Sequence, residues 1–194
     1  VEFSFVDHDD SFSDNLIDLI ACADPKVRVH RYDAATTDLE LALRPTIFSP
    51  GPGNPTQMIR SQRLLSSIWG KVPVLGVCLG HQLIGIRLGY AIVADPHAHH
   101  GSTRTIKCLQ RDHTIAANLP ESFSAASYNS LMVAGVGTEH LLAVDEFACA
   151  QMIYANVNGM PVYGMQFHPE SFMTEIGSML MKAWIAGALK RQRL

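Results

Sequence analysis

The chain has 194 residues, 47% hydrophobic and 17% charged, a size at which roughly 70% of the unfolded surface can be buried without disulfide staples. Fifteen Lys and Arg against 18 Asp and Glu leave a formal charge of -3 with no basic block, which argues against nucleic acid as a partner. No apolar run approaches the roughly 20 residues of a bilayer span, and the opening VEFSFVDHDD is too acidic for a signal peptide. Cys22, Cys78, Cys108 and Cys149 form no CxxC pair, so a cytoplasmic protein with reduced thiols is expected.

Short β-branched runs alternate with segments of helical period, the pattern of an α/β fold with a mostly parallel sheet. Residues 3–6 read as a first strand, and 14–23, with Leu16, Ile17, Leu19 and Ile20 at helical spacing, as a helix. A strand over 27–30, a short helix over 37–43 and a strand over 46–48 follow, the last ending in a Pro/Gly-rich loop. An amphipathic helix is expected over 57–69 with Ile59, Leu64, Leu65 and Ile68 on one side. A buried strand over 73–77 runs straight into a helix from Leu79 to about Leu88. The second half changes character, with shorter and often antiparallel strands over 103–108, 124–127, 141–144 and 148–155. A buried strand over 162–167 and a closing helix over 172–189 complete one domain over 1–194, in which Met173, Met179 and Met181 read as core or interface filler.

The strongest local signal is PVLGVCLGHQ at 73–82. Cys78 stands at a strand-to-helix corner with Gly76 and Gly80 two residues to either side, the logic of a nucleophile elbow, where neighbouring Cβ atoms have no room. The helix N-terminus favours thiolate there. A structural Cys on a glycine-rich turn is the plainer alternative. A nucleophile needs a base and an orienter, and VYGMQFHPES at 162–171 offers His168 just past a strand with Glu170 two residues on. In extended chain those two side chains point the same way. A third element, FSPGPGNP at 48–55, can expose backbone N–H groups to a ligand, and with the N–H of Leu79 it can form an oxyanion hole. On its own that loop reads equally well as a rigid turn. The run His97-Ala98-His99-His100 has no ligand spacing of a known metal site, and no metal is assigned. Cys22, Cys108 and Cys149 lack an elbow or a base and read as buried small hydrophobes.

SPGPG, GVCLGHQ and GMQFHPES, in that order, resemble the class I triad glutamine amidotransferases over nearly the whole chain. The opening VDHDDSFSDNL is similar to the DNYDSFTYNL of glutaminase subunits of anthranilate synthase and aminodeoxychorismate synthase, and YNSL at 128–131 to their YHSL. GMP synthetase and carbamoyl phosphate synthetase glutaminases share the triad but usually not this opening.

The resemblance implies a flavodoxin-like, doubly wound sheet with a smaller antiparallel extension, and a Cys78, His168, Glu170 triad. It implies an oxyanion hole at Leu79 and Gly53, and glutamine held by Gly51, Pro52, Gly53, Gln82, Ser130 and Leu131. It calls for no cofactor. L-glutamine is the implied substrate, and a chorismate-binding synthase subunit the implied partner. Anthranilate synthase is the first reading of that partner and aminodeoxychorismate synthase the second. A free-standing γ-glutamyl hydrolase and a non-catalytic scaffold are more distant alternatives. The chain departs from the pattern at Ser102, where HGK has become HGS, at Asn129 in YNSL, and at His8, Asp9, Ser13 and Asp14 in the opening.

Overall fold

A computed structural model describes residues 1–34, 43–98, 100–110, 115–117 and 119–192. Eleven strands are present among them: β1 (Glu2–Asp7), β2 (Arg28–Asp33), β3 (Thr46–Phe48), β4 (Val74–Val77), β5 (Ala91–Ala94), β6 (Ser102–Cys108), β7 (Ser122–Ser127), β8 (Leu131–Ala134), β9 (Leu141–Asp145), β10 (Ala150–Val157) and β11 (Met160–Met165). The α-helices are α1 (Ser13–Ala23), α2 (Ile59–Ile68), α3 (Leu79–Arg87) and α4 (Gly177–Gln192).

Nine strands form one sheet in the order β2-β1-β3-β4-β11-β10-β9-β6-β7. The first five are parallel and the remainder join antiparallel. The expected doubly wound sheet with an antiparallel extension is therefore what forms, the extension continuing the main sheet. Alternation along the strands sends Phe3, Phe5, Ile47, Leu75 and Val77 to one face, against Leu16 and Ile20 of α1 and Leu180, Trp184 and Ile185 of α4. It sends Val6, Phe48 and Val74 to the other face, against Leu64, Leu65 and Ile68 of α2 and Leu83 and Ile84 of α3. Phe3 and Trp184 meet edge to face at 5.2 Å.

Several expectations need correction. The strand placed over 148–155 begins at Ala150, because Ala148 takes φ 61 in a turn held by bonds to Asp145. The closing helix starts at Gly177 rather than 172: the N–H groups of Ser171, Thr174 and Gly177 are spent on successive three-residue turns, and a side chain on Gly177 would strike the Pro169 carbonyl. Strands β5 and β8, a separate two-stranded sheet, carry no alternation strong enough to announce themselves. Cys22 is exposed on α1, whereas Cys108 and Cys149 are buried. Ile59 is exposed, and of the three methionines only Met181 is fully buried while Met179 is exposed. The helix expected over 37–43 falls largely on residues outside the described set.

Helix α3 sits on the sheet with almost no side chains between. Phe48, Gly76 and Gly164 lie side by side across β3, β4 and β11. A Cβ on Gly76 would run into the Gly80 backbone, one on Gly80 into Phe48, and one on Gly164 would come within 2.6 Å of the His81 ring. Since Gly76 and Gly80 face backbone that cannot swing aside, Gly76→Ala is expected to destabilise the fold by about 2–3 kcal/mol through overpacking. Urea denaturation checks this, and a variant of wild-type stability contradicts the close seating of α3.

Candidate active site

Cys78 follows β4 directly and caps α3 with φ 51 and ψ -99. For a residue with a Cβ this conformation is costly. It persists because the Cys78 N–H donates to the Met165 carbonyl at 2.7 Å, and because the glycines on either side let the chain turn sharply. The thiol thus stands at the N-terminal end of α3, where first-turn N–H groups, that of Leu79 among them, have no intrahelical acceptor.

The same pairing brings the imidazole. β11 lies parallel to β4 with Met165 opposite Val77, so the chain leaving β11 passes beside the elbow. His168 is fixed there by its N–H to the Ala126 carbonyl at 3.1 Å and by the Thr174 hydroxyl donating to its own carbonyl at 2.7 Å. The backbone at Pro169 and Glu170 turns rather than running extended as anticipated. The turn still folds the Glu170 carboxylate back onto the ring, with Oε1 2.6 Å from Nδ1 and both side chains buried. Nδ1 therefore carries the proton in that bond, and Nε2 is the nitrogen left for Cys78. Phe12 and Tyr128 pack edge-on against the imidazole at 5.5 and 4.9 Å and against each other at 5.0 Å.

Cys78 and His168 open into one cavity of about 290 Å³, together with Gly51, Pro52, Gly53, Gln82, Ser130 and Leu131. Every residue proposed from sequence to touch a ligand is gathered here except Leu79, whose side chain is buried. Glu170 stands behind the imidazole. The 51–53 loop is pressed inward, since a Cβ on Gly51 would meet His8 and Leu79, and Gly53 takes φ 92. Gln82 donates through Nε2 to the Leu131 carbonyl at 2.8 Å and to Gln166 Oε1 at 3.2 Å, which leaves its own carbonyl oxygen to accept. A cysteine at an elbow, an imidazole tied to a carboxylate and a glycine-rich loop around one small polar cavity form a constellation suited to acyl transfer from an amide.

The profile of the class-I glutamine amidotransferases matches residues 4–187. This chain belongs to that family. It is 31% identical over 192 residues to anthranilate synthase component 2 of Vibrio parahaemolyticus, covering 96% of each chain. With anthranilate synthase component 2 of Porphyra purpurea it shares 36% over 184 residues, covering 93% of this chain and 96% of the other. Its fold is similar to that of a Thermotoga maritima glutamine amidotransferase, with a TM-score of 0.76 at 16% identity over 100% of this chain and 84% of that one.

The amidotransferase site also contains residues that sequence reasoning did not assign. Asp10, Ser11, Phe12, His100 and Tyr128 line the cavity. Gln166, fully buried, donates through Nε2 towards Cys78 Sγ at 3.8 Å; its place two residues before His168 was the available signal. Among the described residues no group of three or more His, Cys, Asp or Glu is arranged to hold a metal ion, and no helix is long and apolar enough to cross a membrane. His97 stacks on Phe147 at 3.9 Å and His100 Nδ1 bonds the Tyr128 carbonyl at 2.7 Å.

Burial opposes a charged His168, but hydrogen bonds and charge from Cys78 and Glu170 outweigh it and push the imidazole up from 6.5 to about 10. Stabilisation from a raised pKa is complete below the unfolded value near 6.5 and fades as pH climbs towards 10. In urea denaturation the stability lost by Glu170→Gln is accordingly expected to be larger at about pH 6 than at about pH 9.5. A loss that does not change with pH contradicts the charged pair.

Proposed function

We propose that this chain is the glutaminase subunit of an anthranilate synthase, hydrolysing L-glutamine to glutamate and ammonia and passing the ammonia to a chorismate-binding partner. The observation that carries the reading is that His168, tied to Glu170 at 2.6 Å, opens into the same cavity as Cys78. The Cys78 thiolate attacks the side-chain amide carbonyl carbon of glutamine. The tetrahedral oxyanion is held by N–H groups of Leu79 and of the 51–53 loop, an arrangement worth about 3–4 kcal/mol of barrier per donor in comparable sites. Protonated His168 gives its Nε2 proton to the departing ammonia as the carbon–nitrogen bond breaks, leaving a thioester on Cys78. Neutral His168 then draws a proton from water, whose oxygen attacks the thioester carbonyl; as the carbon–sulfur bond breaks, glutamate leaves and the Cys78 thiolate beside protonated His168 is restored. Glu170 holds the ring in the tautomer that both steps require. Gln82, Ser130 and Leu131 bind the amino acid.

Ammonia released into bulk water at neutral pH is protonated and ceases to be a nucleophile, so its use demands a docked acceptor and a dry path. The anthranilate reading is favoured over its folate counterpart by the two component 2 relatives, each matched over nearly its whole length. The test is glutamate release from glutamine with and without a chorismate-binding subunit. Wild type is expected to turn over many-fold faster with the partner. Cys78→Ala is expected to be inactive, and Glu170→Gln to fall about 10–100-fold in kcat. Glutamine left untouched in every combination overturns the reading.

A further inference from the structure

Beneath the rim that carries Ser130 and Leu131 lies a second polar cluster that the chemistry above leaves unused. Arg104 on β6 is 3% exposed and bridges two carboxylates whose side chains are wholly buried. Its NH1 donates to Asp145 Oδ2 at 2.5 Å, and its NH2 to Asp95 Oδ2 at 2.6 Å and the His97 carbonyl at 2.9 Å. Backbone N–H groups supply the other carboxylate oxygens, those of Phe147 and Cys149 to Asp145 and that of His97 to Asp95. Gln151 completes Asp145 at 3.0 Å. One cation and two anions out of water are a poor source of stability, because apolar residues of similar volume commonly do as well. A fully satisfied network does, however, fix the direction of every donor in it.

That direction leads to the site. Asp95 holds the rim twice: its N–H donates to the Ser130 carbonyl at 2.9 Å, and its Oδ2 accepts from Asn129 Nδ2 at 3.3 Å. The same Nδ2 donates to the Leu131 carbonyl at 3.1 Å, while Asn129 Oδ1 accepts from the Ser127 hydroxyl at 2.9 Å. The amide is thus oriented from both ends. The Leu131 carbonyl is shared with Gln82 Nε2 at 2.8 Å, and Gln82 reaches Gln166, which donates towards the Cys78 sulfur. Asn129 stands where the resembled pattern YHSL carries histidine, and its single nitrogen offers the two donors that Asp95 and Leu131 require.

We propose that the Asp95–Arg104–Asp145 cluster, acting through Asn129, is a positioning device for glutamine. It fixes the Leu131 carbonyl and the Gln82 amide that shares it, and so sets affinity for the substrate. The proposal rests on the glutaminase reading. Asn129 is a positioning residue, since it acts through Leu131 and Gln82 rather than on the reacting atoms.

Asn129→Asp keeps the shape and replaces the double donor by a carboxylate facing Asp95 and the Leu131 carbonyl. With the chorismate-binding subunit present, KM for glutamine is expected to rise about tenfold, the scale of one lost buried hydrogen bond, while kcat stays within about threefold. Iodoacetamide should alkylate Cys78 at the wild-type rate in this variant, and glutamine at concentrations that protect the wild type should no longer protect. Asn129→Ala adds no charge and keeps the question answerable where the carboxylate prevents folding; about a threefold rise in KM is expected from it. Loss of folded enzyme alone lowers the apparent kcat and leaves KM unchanged. Wild-type KM in both variants, with an active wild type beside them, overturns the positioning role alone. A wild type with no Cys78-dependent glutamine hydrolysis overturns the glutaminase reading and this proposal with it.

Discussion

The close seating of α3 on the sheet is the constraint on which the rest of the site depends. Gly76 on β4 and Gly80 on α3 face each other with no room for a Cβ, and Gly164 on the adjoining strand leaves space for His81. Only with the helix this near can the chain pass from strand to helix in a single residue, and that residue, Cys78, accepts φ 51 to do so. The backbone strain is carried by surroundings that cannot relax: a buried strand before it, a buried helix after it, and a hydrogen bond to β11 across the corner. Neighbouring strand ends then deliver the other parts, with the 51–53 loop coming from β3 on one side of β4 and His168 from β11 on the other. This is the general habit of open α/β sheets, whose sites lie beyond the carboxyl ends of the strands.

Charge is handled differently in three buried histidines, and the contrast identifies the reactive one. His8 lies between the Ser49 and Ser61 hydroxyls, and burial pulls it down to about 4 despite the nearby Asp7. His81, wholly enclosed on the sheet-facing side of α3, is lowered to about 4 by burial in the same way. Both serve as neutral packing groups. His168 is as deeply buried, yet Cys78 and Glu170 turn the balance and keep its charged form favoured. A buried imidazole is stable as a cation only where neighbouring negative charge and hydrogen bonds outweigh its burial, and among these three that balance is reached next to the elbow cysteine.

Much of this architecture is legible in the residue order. The glycines around Cys78, the HPE turn and the PGPG loop are local features whose physical demands hold wherever they fold, and the parallel half of the sheet announces itself through apolar runs separated by helical periods. The antiparallel half is harder to read. β5 and β8 are half-exposed four-residue strands, and nothing in their composition distinguishes them from loop until they pair. Glu170 shows a third situation: its proximity to His168 follows from a spacing of two residues, but the turn that brings it round depends on the Thr174 hydroxyl and on Ala126, which no local pattern connects to it. Arg104, Asp95 and Asp145 are ordinary surface-type residues in sequence, and only their joint burial gives them meaning.

By itself, the sequence determined the elbow at Cys78 and the nearness of His168 to Glu170, because each arises from residues within about ten positions of one another, where steric and hydrogen-bonding rules act directly, and the fold class and the family follow from the order of such local segments along the chain. Tertiary structure alone decided that cysteine and imidazole, 90 residues apart in the chain, meet in one cavity. It also decided that Gln166 donates towards the Cys78 sulfur and that Asn129 ties the Leu131 carbonyl to Asp95. Those outcomes turn on which strands become neighbours and in what register, and that is settled by burying both faces of a single sheet at once, a condition distributed over the entire chain.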